Sequence, residues 1–188
     1  MLHHIREQSL HEVRDRALLA FGMASCMRWS ELVALRFAEI RRVPEGMRVT
    51  IARSKGDQEG NGAEIAVPEG RRLKPVQHLE DWLARARVAD GWLFRRISNN
   101  GEKVTDDPMS DRAVARVVQR RVAAAGLDPA QFGGHSLRAG FLMAAARARS
   151  GASVFQMQAQ SRHKSVQVLS GYVRSEKLFE DHAGKGFL

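Results

Sequence analysis

The chain has 188 residues, of which 44% are hydrophobic, and its 30 Lys and Arg against 21 Asp and Glu give a formal net charge of +9. This size suits a single domain with a real core. The sequence contains no run of 18 apolar residues, so no membrane span is predicted, and the first residues do not resemble a signal peptide. Cys26 is the single cysteine, so an internal disulfide is excluded and a reducing cytoplasm is the expected compartment. The surplus of positive charge favours a polyanion such as nucleic acid as the binding partner.

The first quarter of the chain is predicted to be helical. Apolar residues at helical spacing predict a buried helix over residues 11–25, with Ala17, Leu18 and Phe21 on its inner face. The segment "SELVALRF" predicts a short second helix, for which Ser30 is the expected N-terminal cap.

A small antiparallel sheet is predicted next. Apolar and polar residues alternate in the segment 46–54, with Met47, Val49 and Ile51 facing inward, and again over 63–68, which indicates two half-buried strands. The polar, glycine-rich stretch 55–62 is expected to be the loop of their hairpin, and residues 37–43 are expected to add a third strand.

The rest of the chain is predicted to be mainly helical. One helix is expected to begin near Pro75, and another runs from a cap at Ser110 to a glycine terminator at Gly126. Residues 98–109 are expected to form one long polar loop. Two more helices are expected within 136–161, and shorter ones on either side of Tyr172. The predicted fold is therefore mainly α with a small antiparallel β-sheet (α+β), in one domain covering residues 1–188.

The candidate chemistry comes from cations and one phenol. The sequence has no metal-ligand spacing and no Gly-rich phosphate loop ending in Lys-Ser/Thr, so neither a metal nor another cofactor is expected. Tyr172 is the only tyrosine. Arginines, histidines, a lysine and a tyrosine are suited to phosphoryl transfer without a metal. Each also has an ordinary interpretation as an exposed helical arginine, a solvated lysine in a turn, or a tyrosine at the edge of a core.

Five short motifs distinguish between these interpretations. In chain order they are "MRWSEL", "SKGDQ", "GHSLRAG", "RHKS" and "GYVR", with nine residues from His163 to Tyr172. Together they resemble the catalytic domain of the tyrosine recombinase or phage integrase family. The resemblance extends from about residue 14 to the end, and it implies the family's catalytic-domain fold and double-stranded DNA as the partner.

The resemblance also implies a role for each candidate. Arg28 and Arg138 would bind the scissile phosphate and stabilise the charge of its transition state. Tyr172 would attack phosphorus, giving a 3′-phosphotyrosine and a free 5′-hydroxyl.

Three further residues would complete that site. His135 would orient the tyrosine and accept its proton, and His163 would hydrogen-bond a phosphate oxygen. Lys55, near the tip of the predicted hairpin, would protonate the leaving 5′-oxygen.

The sequence departs from the family pattern at Gly56, Ala139 and Arg162, the last at a position where glycine is frequent. The family's N-terminal DNA-clamping domain is expected to be absent from this chain. The tail after Tyr172 is expected to dock on a neighbouring subunit of a homo-tetramer, with accessory or full-length recombinase subunits as further partners. The expected location is the cytoplasm, at the nucleoid.

These expectations add up to a site-specific DNA recombinase. Two alternatives remain open from the sequence. One is a DNA-binding remnant of a recombinase without catalytic activity, and the other is a strand-relaxing enzyme resembling type IB topoisomerases.

Overall fold

A computed structural model describes residues 2, 5, 8–51, 62–147 and 152–176, the last three as backbone alone. Seven α-helices are present in this part of the chain: α1 Leu10–Ser25, α2 Trp29–Val33, α3 Pro75–Ala86, α4 Asp111–Ala123, α5 Ser136–Arg147, α6 Val154–Ser161 and α7 Val166–Glu176. The strands are β1 Ile40–Val43, β2 Gly46–Ile51, β3 Ala63–Pro68, β4 Arg95–Ile97 and β5 Val104–Pro108. The mainly helical α+β prediction is confirmed.

Helix α1 is the central element of the fold. It begins at a capping box, in which the Ser9 hydroxyl accepts from the Glu12 backbone N–H and the Glu12 carboxylate accepts from the Ser9 backbone N–H. Ala17, Leu18 and Phe21 are wholly buried, as the periodicity predicted. The helix ends at Cys26, whose φ of 53° is left-handed and turns the chain out of the helix.

The predicted three-stranded sheet is present, in the order β1-β2-β3 with antiparallel neighbours. Val49 lies opposite Ile65, and Met47 lies opposite Val67. All four side chains are buried, whereas Arg48 is exposed, so the alternation in the sequence was interpreted correctly. Residues 52–61, which include Lys55 and Gly56, lie outside the described residues.

Helices α3 and α4 complete the main core. In α3 the buried residues are Pro75, Val76, Leu79 and Trp82, and the Trp82 indole donates to the Leu93 carbonyl at 2.9 Å. The predicted Ser110 cap of α4 is confirmed, because its hydroxyl accepts from the Ala113 N–H. The buried edge of α4 consists of valines: Val114, Val117, Val118 and Val122.

Three local predictions were wrong. Residues 98–109 are not one loop, because β5 pairs with β4 in a two-stranded hairpin, too short for sequence alternation to reveal. Ser30 does not cap α2; it lies inside that helix, and Arg28 occupies the cap position. Tyr172 does not separate two short helices, because α7 is one helix that continues through it.

A second, smaller core holds the C-terminal helices together. Its buried members are Cys26, Leu142, Ala146, Met157 and Leu169. Tyr172 and Val173 pack against this cluster with half-buried side chains. Helices α5, α6 and α7 therefore meet beside the end of α1. In the part of the chain that the structure describes, no helix is long and apolar enough to cross a membrane.

Candidate active site

Arg28 stands at the junction between α1 and α2. It has extended backbone dihedrals (φ −68°, ψ 148°), and its backbone N–H donates to Glu31 Oε2 at 2.9 Å. Its guanidinium Nη1 donates to the other carboxylate oxygen of Glu31 at 2.7 Å. The Arg28 side chain remains 28% exposed, whereas that of Glu31 is 4% exposed. A buried carboxylate thus holds an arginine that still reaches solvent.

Arg138 lies in the first turn of α5 and is nearly buried, at 7% exposure. Its Nη1 donates to the Cys26 carbonyl at 2.8 Å, and its Nη2 donates to the Ser161 carbonyl. Cys26 is the residue at which α1 ends, and Ser161 lies in the last turn of α6. One guanidinium on α5 therefore joins three helices. Two fixed carbonyls also restrict its rotation, which preorganises the remaining N–H groups.

Arg162 follows α6 in a left-handed conformation, with φ 56° and ψ 38°. That conformation costs an ordinary residue about 1 kcal/mol and suits glycine. The Arg162 guanidinium donates to Glu31 Oε2, and the side chain is 13% exposed. Arg162 therefore adds a cation to the site.

The charges in this cluster do not balance. Arg28, Arg138 and Arg162 contribute three guanidiniums against the single carboxylate of Glu31. Burial lowers the pKa of Arg138, and the positive charges of Arg28 and Arg162 lower it further. Burial also raises the pKa of the Cys26 thiol to about 11, so this neighbour stays uncharged at neutral pH. A partly buried excess of positive charge favours the binding of an anion.

His163 belongs to the same network. Its Nδ1 lies 2.7 Å from Ser161 Oγ and 3.3 Å from Arg138 Nη2, and its carbonyl accepts from Gln158 Nε2 at 3.0 Å. Burial lowers the pKa of His163, and Arg138, Arg28 and Arg162 lower it further. The imidazole is therefore mostly neutral at pH 7.

His135 is exposed and lies at the edge of the cluster. Its ring centroid is 5.3 Å from that of Trp29, with the ring planes tilted by 44°. Trp29 can approach because residue 134 is glycine: a Cβ built on Gly134 would lie 1.8 Å from the indole Cε3. Trp29, directly after Arg28 in the chain, is thus the link between the first motif and His135.

Of the six site residues that the sequence predicted, three are brought into one bonded and electrostatic network: Arg28, Arg138 and His163. His135 is attached through Trp29, and Tyr172 packs against the second core, to which Cys26 also belongs. Lys55 lies outside the described residues. In the described ranges, 8–51, 62–147 and 152–176, no group of three His, Cys, Asp or Glu is placed to hold a metal ion.

Sequence reasoning missed the residues that hold this network together. The contact of Glu31 with Arg28 could have been predicted from the sequence, because Glu31 lies three residues after Arg28 and so is on the same side of a helix start. Nothing in the sequence pointed to Ser161, since a serine in the last turn of a helix is common. Gln160 was also missed; its Nε2 donates to the carbonyls of Ala24, Ser25 and Ala66, which joins α6 to α1 and β3.

Comparison with known proteins assigns the family. The profile of the Phage integrase family matches residues 1–178. An integrase/recombinase XerD homolog from Selenomonas ruminantium is 36% identical over 179 residues, which are 94% of this chain and 52% of that protein. The chain belongs to the phage integrase family.

Solved structures of site-specific recombinases share the fold of this phage integrase family member. XerH, bound to a palindromic difH substrate after cleavage, superposes with a TM-score of 0.76 at 18% identity, over 98% of this chain and 48% of XerH. XerA recombinase superposes with a TM-score of 0.69 at 15% identity, over 97% of this chain and 60% of XerA. The chain spans about half the length of the relatives it matches.

Proposed function

We propose that this chain is the catalytic domain of a tyrosine-type site-specific DNA recombinase, which cleaves and rejoins DNA through a 3′-phosphotyrosyl intermediate without a metal. The observation that carries the proposal is the cluster in which three arginines face a single carboxylate. Family membership and the DNA-bound state of XerH support DNA as the anion. The family profile matches residues 1–178, which supports one catalytic domain.

The proposed first step is an exchange of bonds at phosphorus. The Tyr172 oxygen attacks, the P–O5′ bond breaks, and the 3′-phosphoryl group becomes bonded to tyrosine. The phenol proton passes to His135, and Lys55 gives a proton to the leaving 5′-oxygen. A 5′-hydroxyl from the same or a second duplex then reverses the step, so the rejoining needs no ATP.

Arg28 and Arg138 would stabilise the charge on the non-bridging oxygens during this step. Arg138 is held by two backbone carbonyls, and Arg28 by the Glu31 carboxylate, so little reorganisation is needed when charge develops. Removing one such preorganised donor lowers a rate by about 10²–10³-fold in comparable sites. His163 would donate a hydrogen bond to the same phosphate.

Lys55 is proposed on the basis of the strands that flank residues 52–61. The strands β2 and β3 enclose residues 52–61, and Gln160 on α6 donates to the Ala66 carbonyl of β3 at 3.2 Å. Three residues after Gln160 comes His163. Strand β3 of the hairpin is therefore joined, at Ala66, to the helix that leads into the arginine cluster.

A second basic surface supports contact with the DNA backbone. A pocket of about 730 Å³ lies between α1, the β4–β5 hairpin and α4, and its basic lining residues are His11, Arg14, Arg96, Arg116 and Arg120. None of the five predicted catalytic residues that the structure describes lines it. Phosphate contacts of this kind position a protein on a duplex and make its affinity depend on salt.

Assembly and location complete the proposal. We infer a homo-tetramer on paired duplexes, in which the tail after Tyr172 docks on a neighbouring subunit, with accessory or full-length recombinase subunits as further partners. Its place would be the cytoplasm, at the nucleoid. The tail from residue 177 onward lies outside the described residues, so the support for this arrangement is the sequence of the tail alone.

Covalent trapping tests the proposal. The chain is incubated with nicked duplexes of randomised sequence, in which attack releases a short fragment that diffuses away, and adducts are resolved on a denaturing gel. We expect a DNA–protein adduct that maps to Tyr172 and is lost in Tyr172→Phe. Salt-sensitive binding without an adduct would instead indicate a DNA-binding remnant, and plasmid relaxation without strand exchange would indicate a topoisomerase-like enzyme.

The salt dependence tests the basic pocket. Arg116 is exposed on α4 and lines the pocket, while Arg85 is exposed on α3 and does not. In Arg116→Ala the slope of log K against log salt should fall by about 1 for duplex DNA. Arg85→Ala, the matched control, should leave the slope unchanged. Equal slopes in both variants would remove the pocket from the DNA-binding surface.

A further inference from the structure

The side chain of Ser161 contacts two members of the candidate active site. Ser161 is the last residue of α6 and is completely buried, at 0% exposure. Its hydroxyl oxygen is 2.7 Å from His163 Nδ1, and its carbonyl accepts from Arg138 Nη2. This buried residue therefore touches the arginine through its backbone and the histidine through its side chain.

The direction of the hydrogen bond at Nδ1 follows from Arg138. A guanidinium can only donate, and Arg138 Nη2 lies 3.3 Å from the same Nδ1. A proton on Nδ1 would face that guanidinium N–H, whereas an unprotonated Nδ1 can accept from both the guanidinium and the Ser161 hydroxyl, so the geometry favours an unprotonated Nδ1. The Ser161 hydroxyl then donates to it, and the ring proton of neutral His163 lies on Nε2.

The charges around His163 favour the same state. The charged groups that act on it are Arg138 from α5, Arg28 from the start of α2 and Arg162 from the end of α6. All three are cations, so each disfavours an imidazolium. A neutral ring with its proton on Nε2 can donate one hydrogen bond to an anion. That anion would lie away from the edge of the ring that contacts Ser161 and Arg138.

We propose that Ser161 is a positioning residue, which orients His163 and holds its neutral ring in the Nε2–H form so that the ring donates to the DNA phosphate. This deepens the proposed function and rests on it for the identity of the acceptor. Ser161 itself does not meet DNA, because it is buried. Its removal should therefore change the rate of the chemical step and leave DNA affinity within about twofold.

Nitrogen NMR of the full chain tests the tautomer without any DNA. The ¹⁵N shifts of His163 are assigned by their loss in His163→Asn and followed against pH. In the wild type we expect an Nδ1 that accepts and an Nε2 that carries the proton. In Ser161→Ala the ring should titrate at higher pH, with nitrogen shifts that move toward a mixture of tautomers. A wild-type ring with its proton on Nδ1 would overturn the proposal, and this measurement needs no variant.

Adduct formation on the trapped nicked duplex provides the second measurement. Ser161→Ala should form the Tyr172 adduct about tenfold more slowly at saturating DNA, which is the effect of losing one buried hydrogen bond. Ser161→Thr, which keeps the hydroxyl, should recover most of the rate. Ser25→Ala is the matched control, since Ser25 is also 0% exposed but its hydroxyl faces the Gly22 carbonyl.

The outcomes separate the inference from the proposed function. If Ser161→Ala matches the wild type in both nitrogen shifts and rate, the inference is wrong while recombinase chemistry stands. If the wild type forms no adduct, the proposed function fails, and the nitrogen shifts alone decide whether Ser161 sets the tautomer of His163.

Discussion

The carboxylate of Glu31 accepts a hydrogen bond from the guanidinium of Arg162, 131 residues later in the chain. It also accepts from Arg28, so one buried anion is shared by two cations that belong to different helices. This arrangement joins the first motif of the chain to the fourth.

Neutralising Glu31 should destabilise the fold. Glu31→Gln leaves two guanidiniums without a counter-charge where the carboxylate was only 4% exposed. We expect a loss of about 3 kcal/mol in the free energy of unfolding, measured by urea denaturation. Glu64→Gln is the control, because Glu64 and Arg48 form an ion pair with both side chains about half exposed. It should lose less than about 1 kcal/mol, and equal losses in the two variants would contradict the prediction.

The backbone strain at Arg162 can be measured separately from its charge. Arg162→Gly and Arg162→Ala both remove the ion pair, but only glycine relaxes the left-handed φ of 56°. The glycine variant should therefore be more stable than the alanine variant by about 1 kcal/mol in urea denaturation. An alanine variant as stable as the glycine variant would show that the residue adopts another backbone conformation.

A methyl group at residue 134 should disrupt the Trp29–His135 contact. Gly134→Ala would place its Cβ 1.8 Å from the indole, which must then move away from the imidazole. We expect about 3 kcal/mol of destabilisation and a much slower Tyr172 adduct. Gly133→Ala is the matched control, because a Cβ there meets nothing within 4 Å. If the two variants behave alike, the indole does not occupy this space in solution.

Stability should fall as the pH falls below about 6.5. Burial lowers the pKa of His163 in the folded state, so the unfolded chain binds a proton first and gains free energy from it. The stabilisation is complete above the ordinary histidine pKa and is lost as pH falls through the lowered one. Urea denaturation between about pH 7.5 and 5.5 should show a smaller slope in His163→Asn.

His11 contributes to the pH dependence of stability in the same direction as His163, so the two contributions have to be measured separately. Burial lowers its pKa too, followed by the charge of Arg14. His11→Gln should remove its share of the slope, and the effects of the two variants should add. A pH slope that neither variant changes would assign the dependence to other groups.

The single thiol should report the opening of the second core. Cys26 is 0% exposed, and burial raises its pKa to about 11, so its thiolate is scarce at pH 8. We expect an aromatic disulfide reagent to label native protein only at the rate of unfolding, and to label it at once in denaturant. Complete labelling within seconds in the absence of urea would mean that the core beneath Tyr172 opens readily.

Several features of the fold could be predicted from sequence because they depend on local periodicity. The apolar stripe of α1, the alternation of β2 and β3, and the Ser110 cap of α4 each involve residues a few positions apart. The β4–β5 hairpin was missed because three residues in one strand are too few to establish a period. The continuity of α7 through Tyr172 was missed because its helix is stabilised by packing on α5 and α6.

By itself, the sequence determined the family, the helical class and the identity of the candidate catalytic side chains, because motif order and spacing are properties of the chain. Only the tertiary structure decided how those side chains are held: Glu31 between Arg28 and Arg162, Arg138 on the carbonyls of Cys26 and Ser161, and His163 against a buried hydroxyl. Such contacts join residues more than a hundred positions apart as well as neighbours. Their energies depend on burial and hydrogen-bond geometry, which no sequence spacing specifies.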